Sequence, residues 1–76
     1  METLDLSPAF VRLARHLEAQ IVEGVWLPGQ LIPGEVAIAE RFRVSVGTAR
    51  KALDVLSGRR LIERRRGRGT IVTRAT

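Results

Sequence analysis

Only about three residues separate two short amphipathic stretches near the middle of the chain, and that spacing restricts the fold more than any other feature. The first stretch opens after Pro33-Gly34, with Glu35 favourable at the positive end of a helix dipole and Ile38 and Phe42 one turn apart. It ends near Arg43. Ser45 is the next N-cap candidate, and from Val46 onward Ala49, Ala52, Leu53 and Leu56 gather in an apolar stripe about 100° wide that Ser57-Gly58 closes. So short a link cannot fold two helices antiparallel; it suits the sharp crossing of a helix-turn-helix.

The flanking segments complete a unit around this pair. Upstream, Ser7-Pro8 predicts a helix start, with serine as the cap and proline in the first helical position, where a missing amide costs nothing. Phe10, Leu13, Ala14, Leu17 and Ile21 form the core-facing stripe of that helix, and Gly24 fits the left-handed residue that closes it. Trp26-Leu27-Pro28-Gly29 then reads as a turn, and Leu31-Ile32-Pro33 as a connector. Downstream of Gly58 the pattern changes to two strand candidates, Leu61 to Arg66 and Thr70 to Thr73, around the hairpin loop Gly67-Arg68-Gly69. The expected fold is therefore α+β: a winged helix-turn-helix of three helices followed by a two-stranded antiparallel β-hairpin, the wing. One domain spans residues 1–76, structured over about 7–73.

Bulk properties agree with this plan and exclude several alternatives. A chain of 76 residues accommodates one modest core, and 45% hydrophobic with 4% aromatic residues makes that core aliphatic. Cysteine is absent, which removes disulfides and thiolate metal ligands and is compatible with a reducing cytoplasm. Nothing near Met1 resembles a secretory leader, and no apolar run approaches the roughly 20 residues of a membrane span. A soluble, cytoplasmic protein without a cofactor is expected.

Charge placement says more than its total. Residues 1–40 carry six acidic and two basic side chains, a balance of −4, whereas residues 41–57 carry +3 and residues 58–76 carry +6, giving the net +5. A basic surface built almost wholly from arginine suits a polyanion read through bidentate contacts. If the 49/52/53/56 stripe of the third helix packs inward, Gly47, Lys51 and Asp54 face outward, flanked by Val46 and Arg50. Recognition helices present their N-terminal residues to base edges, so Val46, Gly47, Arg50 and Lys51 are the candidate readers, with Ser45 and Thr48 on phosphates. Arg50 can give two parallel donors to guanine O6 and N7, Val46 offers an apolar contact to a thymine methyl, and Gly47 allows close backbone approach. At the hairpin, Gly67 and Gly69 thin the tip while Arg66 and Arg68 flank it, a combination suited to a narrow minor groove, with Thr70 beside it. Arg41, Arg43, Arg64 and Arg65 suit backbone phosphates, which fix register.

These residues also make the chain similar to the N-terminal domain of GntR-family bacterial transcription regulators, over about residues 9–73. The shared features run in order: Ile21 and Gly24, the connector Pro28-Gly29 and Pro33, Glu35 and Ala39, Val44-Ser45, then Thr48, Arg50, Ala52 and Leu53, and the ending Gly67-Arg68-Gly69-Thr70-Ile71-Val72. The resemblance implies a homodimer on an inverted-repeat double-stranded DNA operator, with an effector-binding domain following the DNA-binding one; no such domain is expected within these residues. The chain departs from the family pattern after the connector proline, where Gly34-Glu35-Val36 replaces Ser-Glu-Arg, and after Val44-Ser45, where Val46 replaces arginine. Lys51 replaces a common glutamate. Base reading accordingly shifts toward Arg50 and Lys51.

Plainer readings compete for each feature. An arginine-rich hairpin can be an edge strand protected by charge, and one amphipathic helix is usually only a surface helix. His16, on the flank of the first helix, reads as structural or exposed. Gly67-x-Gly69 is half of a dinucleotide fingerprint and opens no helix, so it does not read as a nucleotide site. The eight carboxylates form no acid-base pair and Ser7, Ser45 and Ser57 lack a paired base, so an enzyme is not expected. The alternative to DNA binding is a winged-helix module for protein interaction or structured RNA.

Overall fold

The computed structural model describes residues 6–65 and 67–73. Arg66, expected to flank the hairpin tip, and the segments 1–5 and 74–76 lie outside them. Among the described residues, three helices and three strands follow one another as α1 (Ala9–Val22), β1 (Leu31–Ile32), α2 (Glu35–Phe42), α3 (Val46–Gly58), β2 (Ile62–Arg65) and β3 (Gly69–Val72).

The start of α1 lies one residue later than the serine-cap signal predicts. Pro8 is the N-cap, with φ −54° and ψ 151°, and its carbonyl accepts from the amides of Val11 (3.0 Å) and Arg12 (3.2 Å). The fixed proline φ places that carbonyl at the mouth of the helix. Ser7 is drawn elsewhere: its hydroxyl accepts from Arg15 at 3.3 Å and its carbonyl from Arg12. At the other end Gly24 takes the expected left-handed backbone (φ +81°), with the Gly24 amide donating to Ile21 and the Val25 amide to Gln20, a Schellman closure.

The segment expected to be a connector contributes a strand. Leu31 and Ile32 pair antiparallel with Ile71 and Thr70, so the sheet has order β1-β3-β2 and the hairpin gains a third strand. Gly29, at φ +86°, turns the chain into this edge and donates its amide to the Val72 carbonyl at 2.7 Å. Two residues are too few to display a strand period, which is why β1 is invisible in the sequence.

α3 begins at the predicted cap: the Ser45 hydroxyl accepts from the Thr48 amide at 3.0 Å. The turn before it is closed by Arg43, whose backbone is left-handed at φ 56° and ψ 48°. All four residues of the α3 stripe are buried, and with Leu17 and Ile21 of α1, Ile38 of α2 and Val72 of β3 they form one core. Each fully buried leucine or isoleucine there contributes about 1.5–3 kcal/mol of transfer free energy. Phe10 and Phe42 pack only partly against it, and His16 meets the Phe42 ring edge-on at 5.2 Å between centroids.

In the wing, β2 and β3 pair from Ile62↔Val72 to Arg65↔Gly69. Gly69, expected in the loop, already pairs with Arg65 as the first residue of β3. The Arg68 amide closes the turn on the Arg65 carbonyl at 2.9 Å, and Gly67 supplies the positive φ (+76°) it requires.

Candidate nucleic-acid interface

The helix-turn-helix presents its polar surface along the outer side of α3. Gly47, Arg50, Lys51 and Asp54 are exposed, as is Ser45 at the helix start. Ser45 and Thr48 also bond hydroxyl to hydroxyl at 3.0 Å, so the predicted phosphate-facing pair is a closed cap that holds the first turn in shape. Gly47 lies between them, two residues after Ser45. A Cβ built there would approach nothing closer than the Ser45 hydroxyl at 3.9 Å, so the fold itself does not require glycine at this point.

Arg50 is held by an acidic partner from the neighbouring helix. Its Nε lies 2.6 Å from Oε2 of Glu35, the first residue of α2, while its side chain stays 59% exposed. The pair occupies a groove between the starts of α2 and α3 that is lined by Gly34, Glu35, Val36, Ala37, Val46 and Arg50. Lys51 leans the other way, its Nζ 5.7 Å from the centre of the Phe10 ring of α1, within cation–π range. Successive residues on a helix differ by about 100°. Arg50 and Lys51 therefore address opposite flanks of the same face, and Gly47 and Asp54 lie between them.

The wing is fastened to this face by one arginine. Arg64 of β2 donates from Nη1 to Oδ1 of Asp54 at 2.7 Å and from Nη2 to the Arg50 carbonyl at 3.2 Å. The fork geometry of guanidinium suits two acceptors at once. Arg64, which the sequence assigns to phosphate, is thus engaged with α3, and Asp54 is an electrostatic partner that sequence reasoning did not single out. Arg65 lies near Glu63 at 3.4 Å on the same strand. Arg68 sits at the tip and makes no ion pair among the described residues; the same holds for Arg41 in the last turn of α2 and for Arg43 in the turn. Thr70 differs from the other predicted residues in being buried, at 7% exposure, in the central strand of the sheet. Its side chain supports the wing from within. Gly67 and Gly69 are exposed, both at positive φ.

Neither Glu35 nor Asp54 could have been assigned from spacing. Glu35 reaches Arg50 across 15 residues and Asp54 reaches Arg64 across 10. Charge complementarity on outward positions is the only hint the sequence carries. No group of His, Cys, Asp or Glu among the described residues could hold a metal ion, and no helix of them is long and apolar enough to cross a membrane.

Comparison with known proteins agrees with this geometry. The chain is 36% identical over 67 residues to the HTH-type transcriptional repressor NagR of Bacillus subtilis (strain 168), covering 88% of this chain and 28% of that protein. It is 37% identical over 62 residues to the Glc operon transcriptional activator of Escherichia coli (strain K12), covering 82% of this chain and 24% of that one. The chain thus spans about a quarter of the length of these relatives. Among solved structures, the AraR DNA-binding domain in complex with operator superimposes with a TM-score of 0.86 at 30% identity, covering 96% of this chain and 88% of that one. The family model for bacterial regulatory proteins, gntR family, matches residues 10–72, nearly all of the sequence. A helix-turn-helix braced by Glu35 and joined to an arginine wing is therefore the local form of a shared plan, and the chain belongs to the gntR family of bacterial regulatory proteins.

Proposed function

We infer that this domain binds double-stranded DNA sequence-specifically as the operator-reading part of a transcription regulator, with the start of α3 in the major groove and the wing tip in the minor groove. The observation that carries the reading is the Arg64 clasp. By tying β2 to Asp54 and to the Arg50 carbonyl, it sets the wing beside the outward face of α3, so two DNA-reading elements share one surface.

On this surface Arg50 reads a guanine. Its Nε is engaged by Glu35, and its two Nη groups make no hydrogen bond among the described residues, which leaves the fork needed for O6 and N7. Lys51 and Val46 contact neighbouring bases, and Gly47 lets the α3 backbone approach the groove. Ser45 and Thr48 present the capped helix start to a phosphate. Arg41 and Arg43 fix register on the backbone, together with Arg65. Arg66, Gly67, Arg68 and Gly69 enter the minor groove, reading its width and potential more than its sequence.

Two copies on an inverted repeat, joined through a following effector-binding domain, would make the working regulator in the cytoplasm; the role is binding rather than catalysis. Titration of the domain with random and selected duplexes at several salt concentrations tests the reading. Affinity should fall steeply with salt, with each phosphate contact contributing about −0.9 to the logarithmic slope, and a selected site should be preferred over random sequence. Absence of duplex binding at low salt would overturn it, and a flat salt response would favour a protein-interaction module.

A further inference from the structure

Two valines on the cationic face have no part in the core. Val36, the second residue of α2, is 59% exposed and Val46, the first residue of α3, is 39% exposed, yet both line the groove that holds the Glu35–Arg50 pair. Valine is a weak helix former, because its branched side chain loses rotamer freedom against the preceding turn, and neither residue adds charge for phosphate. They make the groove wall apolar beside the group that faces guanine. In the major groove a base pair of unmodified DNA offers one apolar feature, the 5-methyl group of thymine.

We propose that the α2–α3 groove is a thymine-methyl site: Val36 and Val46 receive the 5-methyl group of a thymine within one base step of the guanine that Arg50 contacts. The proposal rests on the DNA-binding reading above and makes it specific. Glu35 has a defined part in it as a positioning residue. Holding Arg50 by Nε, it keeps the guanidinium against one wall of the groove, so guanine and thymine are read together as a pair. The wall beside Arg50 is made by valine side chains, which neither donate to nor accept from a base edge, so thymine, with its methyl group, is the occupant the groove favours. Continuity with the guanine-reading face and the apolar wall together select a base edge over a peptide or a lipid.

Selection from random duplexes gives the site, and replacing its thymines one at a time by deoxyuridine removes only the methyl group. A buried methyl contributes about 0.8 kcal/mol, so uracil next to the critical guanine should weaken the wild-type domain about fourfold. In Val36→Ser/Val46→Ser the same replacement should change affinity by less than about 1.5-fold, since the apolar wall is gone. Wild type alone carries the first readout, so the test does not depend on the variant folding. A selected site in which no uracil replacement matters, or in which the double variant stays as sensitive as wild type, overturns the thymine-methyl site and leaves DNA recognition standing. Failure of selection to yield any preferred sequence overturns both.

Discussion

The start of α3 and the tip of the wing both present arginine to the outside of the molecule, but they hold it differently. At α3, Arg50 is gripped at 2.6 Å by a carboxylate from another helix, Lys51 rests on an aromatic ring, and the first turn is closed by Ser45. Along the wing this bracing fades with distance from the body. Arg64 at the base is clasped by Asp54 at 2.7 Å, Arg65 meets Glu63 on its own strand at 3.4 Å, and Arg68 at the tip has no ion pair among the described residues. Exposed ion pairs of this kind contribute less than about 1 kcal/mol to stability, so their effect lies in orientation. A donor held in one direction can distinguish base edges. A cation free to move can follow the phosphates and the narrow groove of any sequence.

That contrast can be broken most decisively at Arg50. Arg50→Ala should reduce affinity for the selected operator by an amount worth about 1–3 kcal/mol while leaving random duplex binding far less affected. Equal loss on both, measured by competition titration, would mean that the braced arginine does not discriminate. Next in size, Ser45→Ala removes the cap that shapes the α3 start and should cost about 1 kcal/mol, lowering the thermal midpoint by about 4–8 °C in a domain of this size. An unchanged melting curve would show the first turn to be held by packing alone.

Smaller effects belong to the wing. Arg68→Ala should weaken operator and random DNA by the same factor and reduce the logarithmic salt slope by about one, with no change in melting temperature. A selective loss on the operator would give the tip a base-reading role and erase the distinction. The smallest effect is expected for Asp54→Asn, which weakens the Arg64 clasp at a stability cost below about 1 kcal/mol and leaves the bond to the Arg50 carbonyl. With the wing less firmly set beside α3, affinity should fall slightly on every duplex. Unchanged or higher affinity would mean that the clasp does not align the wing for binding.

Much of the architecture follows from local pattern. The stripe Ala49, Ala52, Leu53 and Leu56 is buried throughout, Ser45 caps α3, Gly24 closes α1 and the glycine-tipped hairpin forms. These features rest on interactions within a few residues, which periodicity and capping chemistry report directly. The errors arose where a longer-range partner decided the outcome. Leu31-Ile32 is a strand only because β3 lies beside it, and Thr70 is buried because it sits between two neighbouring strands. Gly69 belongs to β3 rather than to the loop because it pairs with Arg65.

The sequence by itself determined the order of the three helices and the hairpin, the aliphatic core and the concentration of positive charge in the second half of the chain, because helix period, turn chemistry and charge are properties of neighbouring residues. Which arginines are braced and which remain free was decided only by the tertiary structure. Helix crossing and sheet pairing bring Glu35 to Arg50 and Asp54 to Arg64, and the side chains of Val36 and Val46 into one groove. No spacing rule within a single helix or strand encodes those meetings, since each depends on how separate elements pack on the shared core.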